Sequence, residues 1–253
     1  MNIRILTYDS LGSTNTEALE MARKGADEGT CIVARQQTAG RGRHGRTWLS
    51  EKDAGLYFSI ILRPSLPPDS LPLITLMAGV AVHSTLAAFG MCADIKWVND
   101  VLVGEKKISG ILAETTMTDT GLAVVLGIGI NIRRTNFPTD LADRATSIEE
   151  FQTANEQVPS PNQLAAVLTE DLQRFYTKLK APDGPAAIIS EWRVRSSYFF
   201  GKRVKVSSLG EALVGTTEGL EPNGALRLRK SDGDLVIIQA GDVEQLRADA
   251  AAD

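Results

Sequence analysis

Apolar and polar positions alternate along much of the chain, and their spacing predicts an ordered series of strands and helices. Short runs rich in β-branched and aromatic side chains predict strands over residues 3–8, 31–34, 56–62, 95–97, 108–116 and 122–132. A polar turn at residues 118–121 joins the last two runs as a hairpin. Residues 14–17 have the form of a helix capping box, and the apolar face after them predicts a helix that ends at Gly25.

One segment is apolar enough to imitate a membrane span. Residues 70–93 contain no Asp, Glu, Lys or Arg, and about 20 such residues suffice for a helix to cross a bilayer. The segment also holds Pro72, His83 and Ser84, with small residues among the larger ones. We therefore expect a helix buried inside a globular domain and no membrane partner. A second, amphipathic helix is expected over residues 164–179.

The pattern changes near Gly201. Alternating apolar and polar side chains occupy residues 203–206, 212–218, 225–229 and 235–239, and turns at residues 222–224 and 232–233 separate the last three runs. About 50 residues with this pattern predict a small β-barrel. The sequence thus predicts two domains, a mixed α/β domain over residues 1–196 and a small β-domain over residues 197–253.

Composition limits the chemistry that the chain can perform. The 27 Lys and Arg residues and 31 Asp and Glu residues give a net charge of −4, which argues against a general nucleic-acid-binding protein. Two His and two Cys residues are scattered along the chain, so we expect no structural metal. We also expect reduced thiols and a cytoplasmic location, since Asp9 precedes any long apolar run and the N-terminus does not resemble a signal peptide.

The 22 residues from 29 to 50 carry no acidic side chain but contain Arg35, Arg41, Arg43, Arg46 and His44. The centre of this segment, residues 37–48, has the sequence QTAGRGRHGRTW. Glycines let the backbone approach a ligand closely, and guanidinium groups form paired hydrogen bonds with phosphate or carboxylate. The segment therefore predicts an anion-binding loop. The alternative is a solvated surface loop, although arginines without a neighbouring acid repel each other unless an anion joins them.

Gly40, Gly42 and Gly45 also fit the dinucleotide-binding fingerprint G-x-G-x-x-G. That fingerprint must open a helix within a strand–helix–strand unit, whereas here Trp48 and the strand over residues 56–62 follow too closely. The phosphate-binding pattern G-x-x-x-x-G-K-[ST] does not occur in the sequence. Neither standard nucleotide motif describes this loop.

Polar residues also lie beside two of the predicted strands. Residues 96–101, KWVNDV, place Asn99 and Asp100 at the end of a strand, where a plain surface turn is the alternative interpretation. Residues 106–114, KKISGILAE, place Lys107 and Ser109 on one strand face, from which the lysine could enter a site. Lys106 fits an ordinary hairpin lysine.

The run GIGINI at residues 127–132 ends a strand that is expected to be buried. Glycines inside a strand indicate a bulge or the close approach of another backbone or of a ligand. Each of these clusters is a weak signal by itself, and their order along the chain makes the signal specific.

In this order, the motifs STN, Q-x-x-GRGRxGRxW, KW-x-ND, KxxGIL and GxGxN resemble those of the biotin protein ligases, the biotin–[acetyl-CoA-carboxylase] ligases. The resemblance runs from Ser10 to about Glu150, and the β-rich C-terminal segment suits the family's SH3-like domain. It implies an α+β fold in which helices flank a mixed sheet, as in class II synthetases, followed by a small SH3-like β-barrel. Val98 stands where the family usually has proline, which removes no functional group.

Some bacterial members of that family carry an N-terminal helix-turn-helix and act as repressors. In this sequence the resemblance begins within about the first ten residues, so we expect no DNA partner. The partner that the resemblance implies is the biotin carboxyl carrier domain of a biotin-dependent carboxylase. A homodimer is a further possibility, in which the strand over residues 56–62 pairs with its copy, but an apolar strand is equally suited to the core.

The resemblance implies a two-step, ATP-dependent reaction. The biotin carboxylate attacks the α-phosphorus of ATP to give biotinyl-5′-AMP and pyrophosphate, and a carrier lysine then takes the biotin and releases AMP. The residues implied to bind biotin are Ser13, Thr14, Asn15, Gln37, Gly40, Arg41, Gly42, Arg43, Lys107 and Gly110. Those implied to bind ATP or the adenylate are Arg43, Arg46, Trp48, Lys96, Asn99, Asp100, Lys107 and Asn131. The residues implied to be catalytic are Arg43, Lys107 and Asp100, and those implied to bind Mg²⁺ are Asn99 and Asp100.

Three other functions remain open at this point. A lipoate ligase or octanoyl transferase shares the fold and the acceptor lysine. A non-catalytic sensor would bind a small molecule and would not need Lys107, Asp100 and Asn131, so the presence of these residues argues against it. A nucleic-acid-binding protein could use the arginine-rich loop, but this loop lacks the aromatic platform on which single strands stack.

Overall fold

The computed structural model describes residues 1–135, 137–152, 157–208 and 211–245. The elements of its first part are β1 (Arg4–Tyr8), α1 (Thr14–Arg23), β2 (Thr30–Ala34), β3 (Gly55–Leu62), α2 (Leu73–Ala88), β4 (Ala93–Lys96), β5 (Asp100–Val103), β6 (Lys106–Thr118) and β7 (Gly121–Asn131). Those of its second part are α3 (Thr139–Ala142), α4 (Pro161–Leu179), α5 (Gly184–Arg193), β8 (Phe200–Ser208), β9 (Glu211–Leu220), β10 (Leu226–Arg229), β11 (Leu235–Ile238) and β12 (Asp242–Gln245).

The first seven strands form one mixed sheet in the order β1-β2-β3-β7-β6-β5-β4. Only β1 and β2 are parallel neighbours, and the other pairs are antiparallel. The mixed sheet with flanking helices confirms the predicted α+β class. Because β3 pairs with β2 on one side and β7 on the other, it cannot also pair across a dimer, so this strand belongs to the core.

The uncharged segment forms helix α2, which packs against α4, α5 and strands of the sheet. Eleven of its 16 residues are buried, among them Leu73, Leu76 and Val80. Burial of apolar side chains stabilises the fold by about 1.5–3 kcal/mol for each large aliphatic residue, so this helix is a major contributor to the core. The prediction of a buried core helix is confirmed, and neighbours on several sides account for its composition.

The last five strands form an antiparallel sheet in the order β11-β10-β9-β8-β12. The four predicted strands in this region are present, and β12 is an addition that the pattern did not predict. The two sheets share one buried core, and the indole N–H of Trp97 donates to the Gly224 carbonyl across the junction at 3.0 Å. The domain boundary between residues 196 and 197 therefore stays a prediction.

Candidate active site

A cleft of about 460 Å³, its open mouth included, lies between the start of α1, the arginine-rich segment and strands β6 and β7. All five sequence motifs contribute to its wall. The predicted site residues found in the wall are Ser13, Thr14, Asn15, Gln37, Arg41, Gly42, Arg43, Trp48, Asn99, Lys107 and Gly110. The apolar part of the wall includes Tyr57, Phe58, Ile111, Leu112 and Ile128.

Residues 40–48 fold as a small hairpin beside this cleft, which we call the arginine flap. The N–H of Gly42 donates to the Arg46 carbonyl at 2.7 Å, and the N–H of Trp48 donates to the Gly40 carbonyl at 3.0 Å. A single 3₁₀ turn at residues 43–45 forms the tip. A hairpin in this position confirms that the glycines do not open a dinucleotide-binding helix.

Two lysines and one carboxylate form a charge cluster at the cleft. Lys107 Nζ lies 2.6 Å from Asp100 Oδ1, and Lys96 Nζ lies 3.1 Å from Asp100 Oδ2. Burial alone would raise the pKa of Asp100, but the positive charges of Lys107 and Lys96, with their hydrogen bonds, hold this pKa below its ordinary value. Asp100 is therefore ionised at neutral pH. Lys107 Nζ also stands 5.5 Å from the centre of the Trp48 ring.

Lys107 reaches the cleft because the pairing of β5 with β6 is irregular. The register shifts between Val101 and Leu102, so that Ser109 and Lys107 are their respective partners and Ile108 is an extra residue. A Cβ placed on Gly110 would lie 3.0 Å from Lys107 Cε, so the lysine lies on the Gly110 side of the sheet. The prediction that Lys107 and Ser109 share a face was wrong, because strict alternation does not hold across a bulge.

Arg43 lies near the flap tip and is directed toward the cleft. Its Nη1 donates to Asn99 Oδ1 at 2.9 Å and to the Gly241 carbonyl at 3.4 Å. Burial lowers the pKa of the Arg43 guanidinium, while nearby Asp242 and Asp100 oppose this change. An arginine remains charged despite such a shift, so Arg43 presents a partly desolvated cation to the cleft.

The other two flap arginines are paired with carboxylates outside the flap. Arg41 forms an ion pair with Glu114 on β6, and Arg46 forms one with Asp242, the first residue of β12. The flap is thus tied to the mixed sheet on one side and to the C-terminal sheet on the other.

At the opposite end of the cleft, the start of α1 forms a buried polar network. Gln37 Oε1 accepts hydrogen bonds from Thr14 N at 2.8 Å and from Thr14 Oγ1 at 3.2 Å. The Ser59 hydroxyl donates to Asn15 Oδ1 at 2.6 Å and lies 2.8 Å from Thr14 Oγ1. Helix α1 begins at Thr14, with Ser13 as a cap that makes no side-chain cap hydrogen bond. The predicted capping box is therefore wrong, because the side chain of Thr14 bonds to Gln37 and Ser59 instead.

Two glycines of β7 make room for the side chains of Asn15 and Trp48. A Cβ on Gly127 would overlap the Asn15 amide, and a Cβ on Gly129 would overlap the Trp48 indole. Gly110 on β6 faces the same indole, since its Cβ would lie 2.9 Å from Trp48 Cζ3. Close approach at Gly127 and Gly129 was predicted, but the approaching groups are side chains of this chain rather than the backbone or ligand that the pattern indicated.

The predicted magnesium ligands do not fit a metal centre in this arrangement. Both carboxylate oxygens of Asp100 are held by ammonium groups, and Asn99 Oδ1 accepts from Arg43. Over the described ranges, no group of three or more His, Cys, Asp or Glu side chains is placed to hold a metal ion. A site with one carboxylate among three cations repels a divalent cation rather than binding it.

Five predicted site residues lie outside the cleft wall, namely Gly40, Arg46, Lys96, Asp100 and Asn131. Asp100 and Lys96 contact the wall through Lys107 and its ion pairs. Asn131 has another neighbour, since its Nδ2 donates to the Thr146 carbonyl at 2.9 Å. Asn131 therefore holds the segment after β7.

Comparison with known proteins agrees with this geometry. Residues 8–131 match the biotin/lipoate A/B protein ligase family, and residues 199–245 match the biotin protein ligase C-terminal domain. The biotin–[acetyl-CoA-carboxylase] ligase of Mycobacterium tuberculosis is 34% identical over 243 residues, which cover 93% of this chain and 86% of that protein. The chain belongs to the biotin protein ligase family.

Other members of the biotin protein ligase family extend the similarity. The bifunctional ligase/repressor BirA of Bacillus subtilis is 34% identical over 96% of this chain and 74% of its own length. The biotin protein ligase of Aquifex aeolicus, solved with biotin and ATP, superposes with a TM-score of 0.81 at 28% identity, covering 97% of this chain and 99% of that one. The fold of the whole described chain is therefore that of a biotin protein ligase.

Sequence reasoning missed several residues that support the site of this biotin protein ligase. Ser59 and Ser50 complete the polar network, since Gln37 Nε2 donates to Ser50 Oγ at 2.8 Å. Glu114 and Asp242 pair with flap arginines. Ser59 lies in a strand that was expected to serve the core, and Asp242 lies almost 200 residues from Arg46, so only the folded chain shows these contacts.

Proposed function

We propose that this chain is an ATP-dependent ligase that activates biotin as biotinyl-5′-AMP and transfers it to a lysine of a biotin carboxyl carrier domain, with release of AMP and pyrophosphate. One observation carries the proposal: a single cleft joins a polar network at Thr14, Asn15 and Gln37 to a cation cluster at Arg43 and Lys107. Biotin has the matching polarity, because a polar ureido ring and a carboxylate stand at opposite ends of an apolar chain.

In the first step the biotin carboxylate attacks the α-phosphorus of ATP, and pyrophosphate leaves. A carboxylate is a nucleophile at neutral pH, so the enzyme must position it and compensate the charge that develops on phosphorus. Arg43 and Lys107 serve this purpose for the carboxylate and α-phosphate. Arg46 and Lys96 serve it for the triphosphate, and Arg46 must then leave Asp242.

Magnesium enters this proposal with the nucleotide. Asp100 is occupied by two lysines and Asn99 by Arg43, so neither side chain is free to bind a divalent ion. We expect ATP to bring Mg²⁺ on its own phosphate oxygens, as a magnesium–nucleotide substrate.

At the other end of the cleft, the ureido ring of biotin lies among Ser13, Thr14, Asn15 and Gln37. Hydrogen bonds with Ser59 and Gln37 hold Thr14, and Ser59 also holds Asn15, which lowers the entropy lost when a ligand binds. Trp48, Gly110 and the apolar wall enclose the middle of the ligand, while Gly40, Arg41 and Gly42 close over it. Asn131 supports the phosphate end indirectly, through the segment that it holds at Thr146.

In the second step the carrier lysine attacks the carbonyl carbon of the mixed anhydride, AMP leaves with the bonding electrons, and the amine loses a proton. We assign Asp100, the carboxylate paired with Lys107, to this amine. Its lowered pKa makes it a weak proton acceptor, so orienting the incoming amine together with Lys107 suits Asp100 better than general-base catalysis.

The carrier partner follows from the names of relatives such as the biotin–[acetyl-CoA-carboxylase] ligase of Paracoccus denitrificans, which is 32% identical over 89% of this chain. A cytoplasmic location stays a prediction. The absence of DNA binding and the existence of a homodimer stay predictions.

The decisive experiment is biotin-dependent exchange of labelled pyrophosphate into ATP by the purified protein. We expect exchange with biotin and only background exchange with lipoate or octanoate. Exchange that depends on lipoate or octanoate alone would assign the other branch of the family, and binding of biotin without any exchange would indicate a sensor.

A further inference from the structure

Glu114 contacts two residues that come from different motifs. It lies on β6, two residues after Leu112 and four after Gly110, and alternation places it on the strand face that lines the cleft. Its Oε2 accepts a hydrogen bond from Asn15 Nδ2 at 2.9 Å and pairs with the guanidinium of Arg41. A single carboxylate thus connects the start of α1 with the arginine flap.

The contact with Glu114 fixes the orientation of the Asn15 amide. The amide nitrogen donates to Glu114 and to the Leu112 carbonyl at 3.2 Å, and the amide oxygen accepts from Ser59. Because two acceptors face the nitrogen and a hydroxyl donor faces the oxygen, rotating this amide by 180° would break all three hydrogen bonds. Asn15 is only 3% exposed, so water cannot replace them.

The contact with Arg41 fixes one side of the flap. Arg46 on the other side pairs with Asp242, and Arg43 contacts Asn99 and Gly241. Glu114 neutralises Arg41, so the anions of the substrates are left to the remaining cations of the site. The Arg41–Glu114 ion pair also joins the flap to the polar network at the start of α1, because Glu114 bonds to Asn15.

We propose that Glu114 is a positioning residue for biotin, which orients the Asn15 amide and holds the arginine flap over the cleft through Arg41. The inference rests on the proposed function, because that function assigns biotin to this end of the cleft. Loss of the carboxylate opens the flap, weakens biotin binding and speeds the escape of biotinyl-5′-AMP. ATP binding changes little, because its phosphates lie at the other end.

The test compares Glu114→Gln and Glu114→Ala with the wild-type protein in the exchange reaction. Glu114→Gln keeps an acceptor for Asn15 but removes the charge, and we expect the biotin KM to rise about threefold. Glu114→Ala removes both contacts, and we expect a rise of about tenfold, the effect of one charge-assisted hydrogen bond. The ATP KM stays within about twofold in both variants.

The matched control is Arg23→Gln. Arg23 Nε donates to Thr116 Oγ1 at 3.1 Å, so this side chain also joins α1 to β6, two residues further along the strand and away from the cleft. We expect wild-type KM values for both substrates. A double-mutant cycle with Arg41→Gln adds specificity, because the double variant Arg41→Gln/Glu114→Gln should bind biotin no worse than Glu114→Gln alone.

Flap closure is measured directly by limited trypsin digestion, since Arg41, Arg43 and Arg46 are cleavage sites within the flap. Glu114→Ala should speed cleavage there several-fold, while Arg23→Gln should not. Biotinyl-5′-AMP formed in the absence of carrier should also leave Glu114→Ala faster than the wild-type protein, as followed by rapid filtration.

Each outcome decides a separate question. If the wild-type protein gives no biotin-dependent exchange, the proposed function fails. If it does, and Glu114→Ala keeps its biotin KM and flap cleavage within twofold, the role of Glu114 is wrong. A parallel rise of both KM values with a lower Tm would also contradict it, since that pattern marks a purely structural residue. If Glu114→Ala does not fold, Glu114→Gln and Arg41→Gln decide by the same criteria.

Discussion

Lys107 Nζ lies 2.6 Å from Asp100 Oδ1, and only 16% of the Asp100 side chain is exposed. The same carboxylate holds Lys96, so two positive charges share one negative charge and the cluster stays net positive. Because this pairing keeps Lys107 in place without burying a net negative charge, the cleft remains attractive to anions. The geometry explains why a mildly acidic protein can bind polyanionic substrates.

The variant Asp100→Asn should be less stable by about 3 kcal/mol at pH 7, because two ammonium groups then face each other without a counter-charge. The lowered pKa of Asp100 gives its contribution a pH range. The stability that the Asp100 carboxylate adds is fully present above its unfolded-state pKa of about 4. This stability is lost as the pH falls through the lower folded-state pKa. Urea unfolding between pH 3 and 7 should therefore show that the difference in free energy of unfolding between wild type and Asp100→Asn shrinks below about pH 4. The exposed carboxylate of Asp69 supplies the control Asp69→Asn, and a gap independent of pH would contradict the prediction.

The variants Lys107→Ala and Arg43→Ala should fold and yet lose adenylate formation. Each removes a cation that compensates charge on phosphorus, a loss that lowers turnover by about 100-fold or more. Pyrophosphate exchange and thermal unfolding measure the two effects separately. Wild-type biotin transfer by both variants would show that the catalytic residues are wrongly assigned.

The variants Gly127→Ala and Gly129→Ala should impair the site without touching a catalytic group. The added methyl group would displace the Asn15 amide in the first and the Trp48 indole in the second, at a cost of about 1–3 kcal/mol in stability. We expect a higher biotin KM in both. In Gly12→Ala, the control for stability, the new methyl group meets no atom within 4 Å.

The variant Trp97→Phe should weaken the junction between the two sheets. It deletes the N–H that donates to the Gly224 carbonyl and leaves that buried acceptor unpaired, which costs about 1–3 kcal/mol beyond the loss of volume. Trp192→Phe is the matched control, because the buried Trp192 Nε1 has no hydrogen-bond partner among the described residues. Chemical denaturation should give Trp97→Phe a lower free energy of unfolding than Trp192→Phe. Equal stability of the two variants would contradict a role of this hydrogen bond.

The two cysteines should differ in reactivity. Cys31 is buried, and burial raises the pKa of its thiol to about 12, whereas Cys92 is exposed. A thiol reagent at pH 8 should label one cysteine in the folded protein and two in denaturant. Peptide mapping should find the label at residue 92, and rapid labelling of residue 31 would mean that β2 opens readily.

The sequence was informative where local pattern determines structure. Most strand and helix positions followed from periodicity, and glycine and arginine content singled out the loop, although not its hairpin form. The face of Lys107 could not be predicted, because a bulge in β6 depends on the partner strand. Thr14 was expected in the site, but the bonding of its side chain was missed for a similar reason: its local pattern favours a helix cap, whereas its partners Gln37 and Ser59 come from distant segments.

Contacts between distant segments mark the limit of such predictions. Asp242 and Glu114 have no local sequence signature, because each supports the site only by pairing with an arginine more than 70 residues away. The folded chain therefore adds the supporting residues to a site whose direct contacts were already suggested by motifs.

Helix α2 has a consequence for how the protein is made. Gly224 lies against it, since a Cβ there would sit 2.8 Å from Leu76 Cδ1 and 3.2 Å from Leu73 Cδ2. During translation, this apolar helix leaves the ribosome well before the strands that complete its cover. In the nascent chain, Leu73 and Leu76 therefore lack this part of their cover until residue 224 has been added.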